Sequence, residues 1–193
     1  MATAKPTITG IILAGGRSSR MGGQDKGLLL LHGLPLYRHV LAGLTEQVSQ
    51  VIINANRHQD QYRQSGLTVI SDTIADFQGP LAGMLAGLQA AETDWVAFVP
   101  CDAPVFPLNL VARLWHDKED AKAAFAHSDN RDHPAFALLN RALAPCLQRF
   151  LAGGDRRVML FFDSINAARV MFSETHPAFA NLNTPDDLAG WAW

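Results

Sequence analysis

Between Ile8 and Lys118 the chain alternates short apolar runs with longer stretches whose apolar residues recur every three or four positions. No other feature narrows the fold as much. "ITGIILAG" (8–15), "QVIINAN" (50–56), "LTVISD" (67–72) and "DWVAFVPCDAP" (94–104) read as strands. "LPLYRHVLAGLTEQV" (34–48) reads as a helix, with Leu36, Val40, Leu41, Leu44 and Val48 at helical spacing and Pro35 suited to its first turn. The polar "RHQDQYRQSG" (57–66), the small-residue "GPLAGMLAGLQAAET" (79–93) and "PLNLVARLWHDK" (107–118) are further helices. Strand, helix, strand in this order implies parallel strands joined by right-handed crossovers. The expected class is α/β, a Rossmann-like, mostly parallel sheet with helices on both faces.

The second half is less regular. "KAAFAHS" (122–128) and "HPAFALLN" (133–140) suit a hairpin across "DNRD". "RALAPCLQRFLAGG" (141–154) reads as a helix closed by glycines. "RRVMLFFDSI" (156–165) is a second helix, with a strand as the alternative. "ARVMFS" (168–173) and "FANLN" (179–183) are expected strands, and "TPDDLAGWAW" (184–193) starts a helix with Thr184 as its cap and Pro185 at its first position. With 193 residues and neither repeat nor linker, one domain over 1–193 is expected.

Hydrophobic residues make up 48% and charged residues 18%, which excludes a disordered chain. The formal charge of −2 leaves no global basic field for nucleic acid or a membrane surface, so any anion site must be local. No apolar run approaches the ~18 residues that span a bilayer. The N-terminus is unlike a signal peptide, so a cytosolic protein is expected. Cys101 and Cys146 stand far apart in the sequence, outside any Cys/His cluster, and read as free thiols.

The local site is "GGRSSRMGGQDKG" (15–27), directly after the first strand. It carries five glycines and Arg17, Arg20 and Lys26 against the single acid Asp25. In open α/β sheets ligands bind beyond the carboxyl ends of the strands. Glycines let backbone N–H groups turn toward a phosphate there, and the cations add charge. Two familiar loops do not fit. A Walker A loop needs a hydroxyl residue after Gly-Lys, whereas Lys26 precedes Gly27 and Leu28. A dinucleotide loop opens straight into its helix, and the interval here is too long.

The stretch "LAGGRSSRMGGQDKGLLLLHGLPL" resembles the signature of nucleotidyltransferases with a Rossmann-like fold: Leu-x-Gly-Gly, Arg-Met-Gly, then a lysine. "INANRHQ", "ISD", "GPLAGMLAGL", "PCDAP", "RDHPAFALLNRAL", "GGDRRVM" and "NLNTPDDL" resemble the molybdenum cofactor guanylyltransferase family in particular, over essentially the whole chain. The resemblance implies transfer of GMP from GTP to the phosphate of molybdopterin, with release of pyrophosphate and dependence on Mg2+. It implies a GTP-binding half over about 8–105 and a molybdopterin-binding half over about 106–193. It carries GTP contacts onto Leu13, Ala14, Gly15, Lys26, Asn54, Asp72 and Asp102 and supports Gly79 and Gly83; Gly16 and Gly23 belong to the amide-lined cradle. Lys26 and Arg20 would balance triphosphate charge, Asp102 would hold magnesium, and Arg156, Asn181 and Asn183 are candidates for the pterin phosphate. Transient contacts with molybdenum-insertion proteins and molybdoenzyme chaperones are implied as well.

The residues alone leave more open. Asp102, in a turn set by Pro100 and Pro104, suits either a metal or a turn hydrogen bond. Asn54 and Asp72 close strands; they could meet the N–H donors of guanine, or a ribose, or simply cap turns. Gly79 and Gly83 suit tight helix–sheet packing or backbone approach to a nucleotide. Arg156 and Arg157 also read as solvated surface, His133 as a structural histidine, and Trp95, Trp115, Trp191 and Trp193 as packing residues. Open alternatives are a cytidylyl or sugar-phosphate transferase of the same fold and a non-catalytic GTP-binding protein for cofactor delivery.

Overall fold

The computed structural model describes residues 6–16, 23–75, 79–173 and 177–192. Arg17, Arg20 and Trp193 lie outside the described residues. The strands are β1 (Ile8–Leu13), β2 (Leu30–Leu31), β3 (Leu34–Pro35), β4 (Gln50–Asn54), β5 (Thr68–Ile70), β6 (Trp95–Pro100), β7 (Ala123–Ser128), β8 (Arg131–Asn140) and β9 (Ala168–Met171). The helices are α1 (Leu36–Thr45), α2 (Gln59–Arg63), α3 (Leu81–Ala90), α4 (Leu110–Asp117), α5 (Ala144–Ala152), α6 (Val158–Ser164) and α7 (Pro185–Ala189).

Seven strands form one sheet in the order β5-β4-β1-β6-β8-β7-β9. Only β8 runs against the others. The expected α/β class is therefore present. Alternation along each strand splits the core into two layers. Ile8, Ile12, Val51 and Ile53 join Val40, Leu44 and Leu114 on one face; Ile11 and Ile52 join Leu85, Leu147 and Phe161 on the other. Each such side chain, fully buried, contributes about 1.5–3 kcal/mol. Helix α3 is buried along Leu81–Leu88, and its small residues let it lie close to the sheet. A Cβ on Gly87 would sit 2.8 Å from the Phe98 ring and 2.9 Å from Ile11.

Three local expectations change. Leu34 and Pro35 are not helical; they pair with Leu30 and Leu31 in a small ribbon. His32 and Gly33 form its turn, both at positive φ as two-residue hairpin turns require. The second hairpin turns at Asp129 and Asn130 alone, also both at positive φ, so Arg131 and Asp132 belong to β8. Residues 179–183 are not a strand. Phe179 and Leu182 are buried, but their N–H groups donate to the Val105 and Asp102 carbonyls of a loop, and Phe179 has φ +64°. The two buried residues anchor the segment against a loop and not against a strand edge. The stretch read as helix or strand at 156–165 is α6.

Of the tryptophans, Trp95 and Trp115 meet edge to face at 5.1 Å, and Lys118 Nζ lies 4.4 Å from both rings. Trp191 packs beside Leu31, Leu36 and Leu182. Both cysteines are free, Cys101 buried and Cys146 partly so. Among the described residues no helix is long and apolar enough to cross a membrane.

Candidate active site

The order in which the chain adds strands reverses between the parallel neighbours β1 and β6. After β1 the chain winds outward to β4 and β5, then crosses back through α3 to β6. Ligands of open α/β sheets settle in the crevice at such a point. The ladder continues just past the strand ends: Ala14 N–H donates to the Asn54 carbonyl at 2.8 Å and Cys101 N–H to the Leu13 carbonyl at 3.1 Å. A cavity of about 120 Å³ lies there, lined by Leu13, Ala14, Gly16, Asp25, Lys26, Cys101 and Asp102.

Lys26 and Asp102 face each other in that cavity, with Lys26 Nζ 3.5 Å from Asp102 Oδ2. The same ammonium donates to Asn183 Oδ1 at 2.9 Å. The contact brings Asn183, from the C-terminal half, onto Lys26. Its placement follows from a capping box: Asp187 Oδ2 accepts from Asn183 N–H at 2.8 Å and Thr184 N–H at 2.9 Å, and Thr184 Oγ1 accepts from Asp187 N–H at 3.1 Å. Asp102 is 9% exposed. Burial pushes its carboxyl pKa up, and the Lys26 ammonium pulls it partly back. Burial and the neighbouring acids likewise raise the Cys101 thiol, keeping it protonated and poorly nucleophilic.

A second wall gathers Gly15, Asn54, Asp72 and Gly83, all expected at the nucleotide. Asn54 Nδ2 donates to Asp72 Oδ1 at 2.9 Å. Asn56, which the sequence reading did not nominate, completes the wall. Its Nδ2 lies 3.0 Å from both Asp72 Oδ2 and the Gly15 carbonyl, and its Oδ1 accepts from Asp72 N–H at 2.8 Å. A Cβ on Gly15 would sit 2.9 Å from both asparagine side chains, and one on Gly83 2.5 Å from Asn54 Oδ1. Gly23 is exposed at φ +83°, with its carbonyl 3.5 Å from Arg57 Nη1.

A larger cavity of about 630 Å³ opens beside the first. Asn181 and Asn183 line it, together with Ser128, Arg131, His133, Phe136 and Phe179. A bulge makes room for it. Phe125 pairs with Ala137 and Ala126 with His133, so residues 134–136 of β8 stand out of register. Pro134, which cannot donate to a ladder, was the visible sign in the sequence. His133 stacks on Phe179 at 4.9 Å, and its Nε2 is 3.0 Å from Ser128 Oγ. Burial, helped by the charges of Arg131 and His127, lowers the imidazole pKa, which favours the neutral ring. Arg156 is not part of this lining; its carbonyl lies 4.0 Å from where a Gly79 Cβ would be.

No cluster of three or more His, Cys, Asp or Glu among the described residues could hold a metal by itself. The single carboxylate of Asp102 in the cavity with Lys26 still fits magnesium, which commonly takes one or two carboxylates and completes its shell with substrate phosphates and water.

Lys26, Asp102 and Gly16 line one cavity at the switch point of an open α/β sheet, and together with its family and relatives they make the chain a nucleotidyltransferase. The sequence matches the MobA-like NTP transferase domain over residues 10–168, and the chain belongs to that family. It is 55% identical over 187 residues to the molybdenum cofactor guanylyltransferase of Yersinia pestis, covering 97% of this chain and 96% of that one. The crystal structure of molybdopterin-guanine dinucleotide biosynthesis protein A from Archaeoglobus fulgidus is similar in fold, with a TM-score of 0.76 at 22% identity, covering 94% of this chain and 95% of that one. So is 4-diphosphocytidyl-2C-methyl-D-erythritolsynthase from Anaerococcus prevotii, with a TM-score of 0.72 at 12% identity, covering 95% and 93%.

Proposed function

We propose that the chain transfers GMP from GTP to the terminal phosphate of molybdopterin, with or without bound molybdenum. A phosphate oxygen of the acceptor attacks the α-phosphorus. The bond from that phosphorus to the α,β-bridging oxygen breaks, and pyrophosphate leaves with the electron pair. A phosphate monoester near neutral pH is already an adequate nucleophile, so the protein has chiefly to position and to neutralise charge. The meeting of Lys26, Asp102 and Asn183 where the two cavities adjoin carries this reading. The identity to curated guanylyltransferases supports guanine as the base.

In this reading Lys26 balances charge on the triphosphate as it shifts toward the leaving group. Arg20, outside the described residues, assists. The wall of Gly15, Asn54, Asn56 and Asp72 receives the nucleoside, with Gly79 and Gly83 admitting it closely. The larger cavity receives the pterin through Asn181 and Asn183. Asp102 would hold magnesium, which when bound would supply charge neutralisation to the reacting phosphates. The reaction belongs to the cytoplasm, with transient contacts to molybdenum-insertion proteins and to the chaperones of molybdoenzymes.

Incubation with GTP, magnesium and molybdopterin should yield pyrophosphate and a guanylated pterin. Parallel reactions with CTP, and with a hexose 1-phosphate as acceptor, separate the related transferases. GTP binding with no pyrophosphate released would refute catalysis and leave a delivery protein.

A further inference from the structure

Asp25 and Tyr62 have no place in the chemistry above, yet a buried polar contact joins them beside it. Asp25 is 8% exposed and Tyr62 is fully buried. One carboxylate oxygen of Asp25 accepts from two donors, the Tyr62 hydroxyl at 2.5 Å and Gly27 N–H at 3.2 Å. The second bond caps the tight turn Lys26–Leu28, so the first residue of that turn is Lys26. The Tyr62 ring is held edge-on by Tyr37 of α1 at 5.0 Å. Burial and the Asp25 carboxylate raise the phenol far above its ordinary pKa, so it donates throughout the working pH range. Gly27 completes the arrangement: a Cβ there would run into the Tyr62 hydroxyl and lie 3.3 Å from Cys101. In the motif "QDKG", the acid caps, the lysine projects and the glycine admits the tyrosine.

We propose that Asp25 and Tyr62 are positioning residues that brace the Lys26 turn, holding the ammonium between Asp102 and Asn183 for the incoming triphosphate. The inference rests on the reading of Lys26 as a phosphate-binding cation. Lysine is a point charge on a flexible stem, so its usefulness to a phosphate depends on how firmly the base of that stem is held. The brace runs from α2, on the far side of β4 in sequence, and does not touch the substrate cavities through Tyr62 itself.

The test measures GTP affinity by calorimetry, pyrophosphate release and thermal unfolding. The variants are Tyr62→Phe, Asp25→Asn, Asp25→Ala and Lys26→Ala, with the doubles Tyr62→Phe/Lys26→Ala and Asp25→Ala/Lys26→Ala. Tyr62→Phe takes a donor from a buried carboxylate, and GTP affinity and turnover should fall about tenfold. Asp25→Asn keeps an acceptor oxygen and should recover most of what Asp25→Ala loses. The decisive outcome is coupling: once Lys26 is alanine, Tyr62→Phe should cause no further loss of GTP affinity. The Asp25→Ala pair runs the same cycle if Tyr62→Phe does not fold. Unchanged GTP affinity in Tyr62→Phe, or the same fold-loss with and without Lys26, would overturn the brace. The binding arm needs no acceptor, so a wrong acceptor leaves it standing, whereas a wild type that binds no GTP would overturn both the brace and the proposed function.

Discussion

Alanine is the best helix former, and replacing a glycine inside a helix should gain about 1 kcal/mol. At Gly83 in α3 the structure predicts a loss. A Cβ there would lie 2.5 Å from Asn54 Oδ1 and 2.9 Å from Leu13 Cδ2, where ordinary contact begins near 3.4 Å. The asparagine must retreat by the difference, 3.4 minus 2.5, or about 0.9 Å. It is 1% exposed and tied to Asp72 at 2.9 Å, so retreat disturbs the whole wall. Overpacking of this kind costs about 1–3 kcal/mol. Set against the helix gain, Gly83→Ala should be destabilised by about 1 kcal/mol, or about 3 °C in Tm for a chain of this size. GTP affinity should fall by tenfold or more, because displacements near 1 Å at a site are worth about that much. Gly87→Ala is the control one turn on. Its Cβ would meet Phe98 and Ile11 in the core, so it should lose stability and keep its GTP affinity. Thermal unfolding without nucleotide and a GTP titration read both effects. A Gly83→Ala protein with raised Tm and unaltered GTP binding would refute the claim that Asn54 forbids a side chain there.

Three further outcomes are expected. Lys26→Ala should lower guanylyl transfer by about two orders of magnitude; an undiminished rate would leave the lysine without a role. Asp102→Ala should abolish turnover while circular dichroism shows the fold intact, and near-normal transfer with magnesium present would remove Asp102 from the reaction. Arg169→Ala should cost under about 1 kcal/mol at neutral pH, because the Asp132–Arg169 pair is half-exposed and screened. The Arg169 hydrogen bonds, with a smaller share from His127, hold the Asp132 pKa down to about 2. A carboxylate lowered by folding stabilises above its unfolded pKa of about 3.9. The wild-type advantage should therefore shrink as pH falls from about 4 toward 2, as acid titrations of both proteins would show.

Much of the fold was legible because burial imposes a period. Ile8, Ile11 and Ile12 announce a strand covered on both faces, and Leu36, Val40 and Leu44 a helix with one. The ribbon Leu30–Pro35 was missed because four successive leucines hide any alternation; His32-Gly33 was the readable turn. The segment 179–183 misled because its apolar residues, Phe179 and Leu182, look alike whether they are buried against a strand or a loop. In the site, Lys26 and Asp102 stood at sequence positions whose place at one sheet edge follows from topology. Asn56, Tyr62 and Ser128 did not. Asn56 matters through Asp72 and Tyr62 through Asp25, partners distant in the chain, and Ser128 through His133 across the bulged hairpin, and single-residue chemistry does not reveal pairings.

The one reversed strand has a consequence for how the chain can be divided. β8 covers the outer edge of β6, with Trp95 opposite Asn140 and Phe98 opposite Ala137. A fragment ending near residue 105 would keep the glycine loop and Asp102 yet present β6 as a bare apolar rim, ready to zip onto a second copy. Excising residues 1–105 should give aggregates, and co-expressing residues 106–193 should rescue solubility by restoring the missing neighbour.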